Sequence, residues 1–392
     1  MLTRSKTRQP LKVSMRTFIA IELPQEIKDF LSQLQEELKA SGADVQWVEP
    51  KNIHLTLKFL GEIDEKKLDK ITEIMQGTVQ EKDKFQMRIF SLGAFPKTGS
   101  PRVIWVGEVM DYLNLSPGKT IVDATIGTGG HSRAIIERII PGGKLIGIDR
   151  DEDSLAVARQ RLCDFGSACE FVYGNFADID IILNNLNIKK IDGILFDLGL
   201  SSYQLQDPNR GFSFQYEGPL DMRFDRNSFI SAYDLINNLN EDEISTMLKT
   251  FGEERWHNRI AHFLVEEREK RAITTTRELS NIVVRAVPHK YRHYRIHPAT
   301  RTFQAVRIAV NRELETIGTA ISKAIELLDK HGRICVIAFH SLEDRIIKFS
   351  FRKFAASGEI KIITPKPLTP EFAEVKENPA SRSSKLRVAE RL

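Results

Sequence analysis

Asp123, Asp149 and Asp197 each end a strand-like apolar run of this 392-residue chain, which is where open α/β sheets carry their chemistry. Asp123 opens the segment DATIGTGGHS at 123–132, whose glycines let a ligand approach the backbone. Asp149 ends the next apolar run, at a spacing where a carboxylate accepts both ribose hydroxyls of a bound nucleoside. The pattern therefore predicts a site for an adenosine-containing ligand.

The Gly-rich segment favours one adenosine-containing ligand over another. It lacks the Lys-Ser/Thr pair of a phosphate-binding loop, and its spacing departs from G-x-G-x-x-G. S-adenosylmethionine is therefore favoured over a dinucleotide, although the fold type permits either. Phe176 follows the third apolar run, where its ring either stacks on an adenine or belongs to the core.

Asp197 ends the fourth strand-like run, in DLGLSS at 197–202. A carboxylate at this position can accept an N–H hydrogen bond from an exocyclic amine, whose lone pair is conjugated into its ring. The hydrogen bond would help to free that lone pair for in-line attack on a methyl group. Asp197 is therefore the candidate for this catalytic role or for cofactor contact, and the alternative is that it only caps the following turn.

A basic segment between residues 285 and 301 predicts contact with RNA. It contains five Lys or Arg residues, three His and no acid, so cations for phosphates stand beside the aromatic faces of Tyr291 and Tyr294. The predicted RNA-binding residues are Lys290, Arg292, Arg295 and Arg301. A solvated loop is the alternative interpretation, and the tail at 381–391 is a second candidate for phosphate contacts.

Alternating patterns from residue 120 onward predict the elements that position these groups. Apolar runs at 120–123, 144–149, 170–173 and 191–197 indicate buried strands separated by helices, which is typical of a parallel sheet covered on both faces. The chain is then polar and helical from about 201 to 297, with a capping box at Thr275 and Glu278. One long helix through 303–328 and a strand at 333–339 resume the sheet, and Ser341 with Asp344 has capping-box spacing for the next helix.

Residues 1–107 show a different order of predicted strands and helices. Residues 1–14 carry basic residues without an acid and are predicted to be disordered. Residues 15–107 predict a small α+β unit with a strand at 16–23, a helix at 24–39, a strand pair at 45–59, a helix at 66–76 and extended runs at 85–92 and 102–106.

Composition excludes several classes of protein. The net charge of +4 does not by itself indicate a polyanionic partner. Cys163, Cys169 and Cys335 lack C-x-x-C spacing, which predicts free thiols in a reducing compartment, and no His, Cys, Asp and Glu set has the spacing of a metal site. No apolar run approaches the roughly 20 residues of a membrane span, so a cytoplasmic protein without membrane association is expected.

Seven segments together closely resemble the bacterial 16S rRNA cytosine-N4 methyltransferase family, known as RsmH or MraW. They are DATIGTGGHS at 123–132, DLGLSS at 197–202, RGFSF at 210–214, GPLDMR at 218–223, FGEER at 251–255, HPATRTFQ at 297–304 and FHSLEDR at 339–345. The resemblance covers residues 108–392. It implies a class I, Rossmann-like doubly wound α/β methyltransferase with a core formed by 108–204 and 298–392 and a helical, RNA-binding insertion at 205–297.

The same resemblance implies methylation of N4 of a cytidine in the decoding region of 16S rRNA, with S-adenosylmethionine as cofactor and the small ribosomal subunit as partner. Matched motif by motif, the family's cofactor contacts are Gly129, Gly130, His131, Asp149, Phe176, Asp197 and Gln204. His131 and Gln204 follow from the resemblance alone. The family normally begins with a His-x-Pro-Val-Leu-like segment, and PRVIWVG at 101–107 replaces it here. A non-enzymatic RNA-binding protein is the alternative, if this replacement has disabled the cofactor site.

Residues 15–107 resemble the first half of another family, the 2H phosphoesterases, which include RNA 2′,3′-cyclic phosphodiesterases and 2′-5′ RNA ligases. The resemblance is carried by TFIAI at 17–21, HLTL at 54–57 and PRVIW at 101–105. That family uses two H-x-T/S motifs, one His as general base and the other as general acid, and here the motif occurs once, at His54 and Thr56.

The single motif predicts that the N-terminal half-module is catalytically inactive on its own. Its exposed half-core would be poorly stable unless it paired with another copy, so a homodimer is one expectation. Hydrolysis of a cyclic phosphodiester by this module is the alternative function. Two origins fit the presence of both regions in one chain: a natural gene fusion, and a frameshift or an error of sequence assembly that joined them.

Overall fold

The computed structural model describes residues 14–39, 49, 51, 53–64, 67–80, 93–97, 100–105, 109–292, 296–370 and 379–392. The chain divides into two compact units, Met1–Val106 and Gly107–Leu392. The predicted disorder at the N-terminus and the extended run at 85–92 fall outside the described residues, apart from Ser14, which begins the first strand. No helix in the described ranges has both the length and the apolar character of a membrane span.

The first unit contains two antiparallel strand pairs and two helices. Its elements are β1 (Ser14–Glu22), α1 (Gln25–Lys39), β2 (His54–Asp64), α2 (Leu68–Gln80), β3 (Gly93–Lys97) and β4 (Ser100–Trp105). β1 pairs with β2, and β3 pairs with β4. The buried ammonium of Lys28 joins α1 to the end of β1, because it lies 2.9 Å from the Glu22 carboxylate.

The second unit is built on a mixed sheet of seven described strands. They are β5 (Thr120–Asp123), β6 (Lys144–Asp149), β7 (Cys169–Tyr173), β8 (Ile191–Asp197), β9 (Leu328–Ala338), β10 (Ile360–Ile362) and β11 (Lys385–Arg391). The spatial order is β10-β11-β9-β8-β5-β6-β7, and the pairs from β9 to β7 are parallel. The predicted doubly wound α/β architecture is confirmed, and the antiparallel β11 and β10 extend one edge.

Helices cover both faces of this sheet. They are α3 (Val109–Tyr112), α4 (Gly130–Ile139) and α5 (Glu152–Arg161) on one face, and α6 (Ile179–Asn185), α13 (Glu313–Leu327) and α14 (Ser341–Ala356) on the other. Successive side chains of a strand point to opposite faces. In β8, Ile194 and Phe196 therefore pack towards α13 and α14, while Leu195 packs towards α4.

A helical segment between β8 and α13 has a hydrophobic core of its own. Its helices are α7 (Ser202–Gln206), α8 (Ala232–Asn238), α9 (Glu241–Gly252), α10 (His257–Lys270), α11 (Thr276–Ala286) and α12 (Ala299–Asn311). Ile244, Leu248 and Val306 are among its fully buried residues. The predicted capping box is confirmed, because Thr275 accepts a hydrogen bond from the Glu278 N–H and the Glu278 carboxylate accepts one from the Thr275 N–H.

The long helix predicted through 303–328 is wrong, since the chain breaks it into α12 and α13 at Arg312. Arg312 has φ 51° and ψ 39°, in the left-handed region. Asn311 stabilises the break, because its side chain donates to the Met222 carbonyl (2.7 Å) and accepts from the Phe224 N–H (2.8 Å). Apolar spacing is helical on both sides of the break, so periodicity alone cannot reveal it.

Candidate active site

The candidate site lies at the carboxyl edge of the sheet, where the strand order reverses. From β5 the chain continues to β6 and β7 on one side, and it returns to β8 and β9 on the other. Asp123, Asp149 and Asp197 are the last residues of β5, β6 and β8. Ligands of open α/β sheets bind at such a switch point, so the topology brings Asp123 and the two predicted site carboxylates, Asp149 and Asp197, to one crevice.

A buried hydrogen-bond network fixes the ends of β5 and β8 relative to each other. Asp123 accepts from the Ser132 hydroxyl (2.7 Å) and from the Thr125 N–H (3.3 Å). The Thr125 hydroxyl in turn accepts from the Asp197 N–H (2.6 Å). Burial raises the pKa of Asp123, while the neighbouring His131 opposes the shift. Sequence reasoning did not assign roles to Thr125 and Ser132, although the Asp-x-Thr spacing of an Asx turn was the available signal.

The Gly-rich turn places its backbone beside Asp149. Gly127 and Gly129 have φ values of +51° and +79°, which favour glycine. The Gly127 N–H donates to Asp149 Oδ2 (2.8 Å), and the Asp151 N–H donates to Oδ1 (2.9 Å). Burial raises the pKa of Asp149 to about 6, although both backbone donors lower it. Each oxygen retains lone pairs for further donors such as hydroxyl groups.

Asp197 has one carboxylate oxygen near a histidine and one without a partner. Its Oδ2 lies 3.7 Å from His131 Nδ1, and both side chains are partly exposed. Its Oδ1 is buried and has no hydrogen-bond donor in the described part of the chain. Burial raises the pKa of Asp197 to about 6. The charge of His131 lowers this pKa, whereas the negative charges of Asp123 and Glu343 raise it. A buried carboxylate oxygen without a donor can receive one from a substrate.

Phe176 is half-buried just beyond β7. Asn175 caps this turn by accepting from the Ala177 N–H (3.0 Å). The Phe176 ring lies 5.7 Å from the Phe196 ring at 88°, an edge-to-face contact that orients it against the end of β8. The two sequence-based interpretations of Phe176 are therefore compatible, because a ring anchored by one edge can still present a face.

Gln204 takes part in a buried polar network rather than facing an open surface. Its amide nitrogen donates to Asp151 (2.7 Å), and its amide oxygen accepts from the Ser201 N–H (3.0 Å) as part of the α7 capping box. Arg210 donates to the same Asp151 oxygen (2.7 Å), and both side chains of this ion pair are 2% exposed. The helical segment is thus connected to the loop that follows Asp149, by residues that are far apart in sequence.

A second buried network lies beside Asp197, around the start of α14. Arg307 makes a two-pronged ion pair with Glu313, with both N···O distances 2.9 Å, and His340 Nε2 lies 3.1 Å from Glu343 Oε1. Glu313, His340 and Glu343 lie close enough together to hold a metal ion, a grouping that sequence spacing does not reveal. The Arg307 guanidinium already supplies the positive charge that these carboxylates require.

The predicted capping pair of α14, Ser341 with Asp344, is wrong by one residue. His340 is the N-cap, and Glu343 accepts from the His340 N–H (3.2 Å). Ser341 donates instead to Glu253 (2.8 Å), and Asp344 pairs with Arg387 (2.6 Å). A histidine can replace Ser or Thr here because its unprotonated Nδ1 accepts from a helix N–H, as Ser, Thr, Asp or Asn oxygens do.

The predicted RNA-binding residues differ in how free their charges are. Arg292 donates to the carbonyls of Val287 (2.8 Å) and Arg285 (3.0 Å), so it braces the loop. Lys290 lies 5.0 Å from the centre of the Tyr291 ring. Arg301 is exposed and donates to the Glu253 carbonyl (3.0 Å), while Arg295 and Tyr294 lie outside the described residues.

Arg255 joins this basic surface, although sequence reasoning did not single it out. Its guanidinium lies 5.2 Å from the Trp256 ring centre and 5.6 Å from that of Tyr291. An exposed arginine on two aromatic rings is a cation–π arrangement that suits nucleic acid. The adjacent aromatic residue in the sequence was the available signal.

The candidate residues of the first unit are described only by their backbone. His54 and Thr56 lie in β2 and pair with Glu22 and Ala20 of β1. Their side chains are outside the described part of the chain. All three cysteines are free thiols as predicted, with Cys163 exposed and Cys169 and Cys335 buried.

A parallel sheet with acidic strand ends at its switch point, a Gly-rich turn and a helical segment before the last parallel strand define a class I methyltransferase. The MraW methylase family model matches residues 102–392, and the chain belongs to that family. The predicted membership in this family is therefore confirmed.

Relatives in this family are spanned almost completely by the second unit. The chain is 49% identical over 285 residues to ribosomal RNA small subunit methyltransferase H of Sulfurihydrogenibium sp. (strain YO3AOP1), covering 73% of this chain and 97% of the relative. It is 43% identical over 304 residues to the protein of the same name from Clostridioides difficile (strain 630), covering 74% and 98%. About a quarter of this chain thus lies outside the part shared with these relatives.

The first unit matches a different family. The LigT-like phosphoesterase model matches residues 21–105, which confirms the second resemblance predicted from the sequence. The two matches overlap at residues 102–105, directly before the point at which the chain divides into its two compact units.

Proposed function

We propose that this chain transfers the methyl group of S-adenosylmethionine to N4 of a cytidine in the decoding region of 16S rRNA. The relatives that it covers almost in full are named as small-subunit rRNA methyltransferases. The observation that carries the proposal is the buried Asp197 oxygen without a donor, at the carboxyl edge of β8.

The residues at the switch point fit this cofactor. Asp149 keeps free lone pairs for ribose hydroxyls, and the Phe176 ring is held in place beside β8. Gly129, Gly130 and His131 border the crevice from the start of α4. Gln204 acts through Asp151, since its amide is already bonded there. When bound, S-adenosylmethionine supplies an electrophilic methyl group.

Asp197 acts on the methyl acceptor. Its free Oδ1 accepts an N–H hydrogen bond from the exocyclic amine, which draws the amine lone pair out of conjugation with the ring. The Thr125 hydroxyl accepts from the Asp197 N–H at 2.6 Å and fixes the end of β8, so the carboxylate is positioned before substrate arrives. Because burial raises the Asp197 pKa to about 6, the carboxylate is ionised near neutral pH and still basic enough to take the amine proton.

Recognition of the RNA falls to the helical segment and its basic surface. Lys290, Arg301 and Arg295 contribute positive charge, and Arg255 with Trp256 and Tyr291 offers stacking faces. The target base has to leave its stack to reach Asp197, as in other enzymes that modify bases. A ribosomal RNA substrate implies a cytoplasmic location.

The test is methyl transfer from labelled S-adenosylmethionine to small ribosomal subunits that lack the modification. Asp197→Ala should lower the rate by about 100-fold or more, the range for loss of a positioned acid–base group, and should retain cofactor binding. Asp192→Ala is the matched control, because Asp192 lies at the opposite end of β8 and accepts from the Thr120 N–H (2.8 Å). Product without N4-methylcytidine, or an active Asp197→Ala variant, would contradict the proposal.

A further inference from the structure

A cleft lies between the first turns of α14 and the start of β11. Its volume is about 310 Å³, and it is lined by Ser341, Asp344, Arg345, Lys348, Phe349 and Lys385. Half of these side chains are cationic and one is aromatic. Single-stranded nucleic acid binds where cations for its backbone stand beside aromatic faces for its bases.

The acid of this cleft is already neutralised from within the protein. Asp344 accepts from Arg387 (2.6 Å) and from Lys385 (3.3 Å). Lys348 has no ion pair among the residues that the structure describes. The cleft therefore keeps a positive excess, which attracts a polyanion.

Phe349 differs from its aromatic neighbours on the same helix. α14 buries Phe351 and Phe354, which are 2% and 8% exposed, whereas Phe349 is 58% exposed. Its ring belongs to none of the hydrophobic clusters of the described residues, and it lines the cleft together with Lys348. An exposed phenyl ring next to a cation offers a stacking face for a base.

The cleft begins at the sheet edge that carries the candidate active site. Asp197 pairs with Ile337 of β9, and α14 starts four residues later at Ser341. From Ser341 to Phe349 the helix rises about 12 Å at 1.5 Å per residue. An RNA strand with its target base at Asp197 can therefore place a neighbouring nucleotide in the cleft.

The cleft is also continuous with the basic surface of the helical segment, through Glu253 at the end of α9. The Glu253 carboxylate accepts from Ser341 (2.8 Å) and Arg345 (3.2 Å). Its carbonyl accepts from Arg301 (3.0 Å), one of the predicted RNA-binding residues. Residues of both cationic surfaces thus bond to Glu253, which places the two surfaces side by side.

We propose that this cleft binds the rRNA segment next to the methylated nucleotide, with Lys348 and Lys385 holding phosphates and Phe349 stacking on a base. The proposal rests on the proposed function, because it takes its substrate class from that site. It adds a contact surface on the sheet domain, next to the RNA surface of the helical segment.

The experiment measures the affinity of the full chain for a labelled decoding-region RNA fragment over a range of salt concentrations. Lys348→Glu should weaken binding about tenfold or more and reduce the salt slope by roughly 1 or more, as expected for a lost phosphate contact. Phe349→Ala should weaken binding about fivefold or more, and Phe349→Leu should weaken it as well because the stacking face is lost.

Lys353→Glu is the matched control for charge. Lys353 is exposed on the same helix, about 140° around the axis from Lys348, and its ammonium lies over the Phe354 ring. It should change affinity by less than about twofold, since its contribution is only long-range and screened. An equal loss of RNA affinity in Lys348→Glu and Lys353→Glu would overturn the proposed RNA contact at the cleft. Wild-type RNA affinity in both Lys348→Glu and Phe349→Ala would overturn it as well.

Cofactor binding and methyl transfer separate this proposal from the proposed function. All these variants should bind S-adenosylmethionine as the wild type does and unfold at the same temperature. A wild-type chain that transfers no methyl group would refute the proposed function, while the RNA affinities would still show whether the cleft binds RNA. A wild-type chain that methylates the subunit, together with cleft variants that bind RNA normally, would refute the cleft alone.

Discussion

The two units of this chain differ in how many of the side chains required by their candidate sites each unit contains. In the second unit, the ends of β5, β6 and β8 bring Asp123, Asp149 and Asp197 to one edge of one sheet. In the first unit, β2 carries one His-x-Thr motif, and none of the other eight histidines in the sequence begins such a triplet.

This difference separates two kinds of site by what each one needs to be complete. A site at a switch point is formed by neighbouring strands, so it is complete once the sheet has formed. A site with a general acid and a general base on two related halves has only half its chemistry when one half is present. The contrast predicts strong effects from changes in the second unit and weak ones from changes in the first.

The largest effect on stability is expected from Arg210→Met. Arg210 and Asp151 form a buried ion pair, and removal of one partner leaves an uncompensated buried charge. The free energy of unfolding of the second unit should fall by about 3–5 kcal/mol, measured by denaturant titration. Arg226→Met is the control, since Arg226 is half-exposed at 3.5 Å from Asp153 and its loss should cost less than about 1 kcal/mol. Equal losses would mean that burial of the pair is unimportant.

A smaller effect is expected from Gly129→Ala in the Gly-rich turn. Gly129 has φ +79°, and a Cβ there would meet Leu162 at 3.4 Å, an ordinary contact. The left-handed backbone alone should therefore cost about 1–2 kcal/mol of unfolding free energy. Gly118→Ala imposes a similar strain at φ +86° with no atom within 4 Å of the added group. Both variants should lose stability, but only Gly129→Ala should also weaken S-adenosylhomocysteine binding in calorimetry.

The rate of methyl transfer should depend on pH through the carboxylate of Asp197. Its pKa is raised to about 6, so the form that accepts the amine N–H prevails above pH 6. The rate should level off above that pH and fall about tenfold per unit below it. In Asp197→Asn the residual rate should lose this dependence. A wild-type profile that is flat between pH 5 and 7 would exclude Asp197 as the group that titrates.

The same shift has the opposite consequence for stability. Asp149 and Asp197 both have pKa values of about 6 in the folded chain, above the ordinary value of 3.8. The folded state therefore binds more protons than the unfolded state between about pH 4 and 6, and stability should decrease as pH rises through that window. Activity and stability thus move in opposite directions there, which is expected where burial of a carboxylate serves catalysis.

The sequence was sufficient for the five parallel strands and the acidic ends of three of them, but not for the antiparallel β10 and β11. Apolar runs that end in Asp149 and Asp197 have few alternatives, since a fully buried strand must be apolar along its length. Local patterns failed where distant residues decide the structure. The turn at Arg312 depends on Asn311 bonding to the loop at Met222, and the cap of α14 depends on Ser341 and Asp344 finding other partners.

The sequence predicts which polar side chains lie near the site, but it does not predict their hydrogen-bond partners. Gln204 was assigned to the cofactor by resemblance, yet its amide bonds to Asp151, which also holds Arg210. Arg292 was assigned to RNA by charge, yet it donates to two carbonyls of its own loop. A polar side chain satisfies the nearest buried partner first, and sequence does not show which partner is nearest.

The smallest effect is expected from His54→Ala in the first unit. The wild-type chain should hydrolyse a 2′,3′-cyclic nucleotide no faster than His54→Ala, since the second motif is missing and an acid–base group contributes about 10²–10⁴-fold. Methyl transfer by the variant should stay within about twofold of the wild type. Hydrolysis that is lost in His54→Ala would mean that a second copy supplies the missing histidine. In that case the rate per chain would rise with protein concentration, because the complete site would form only on association.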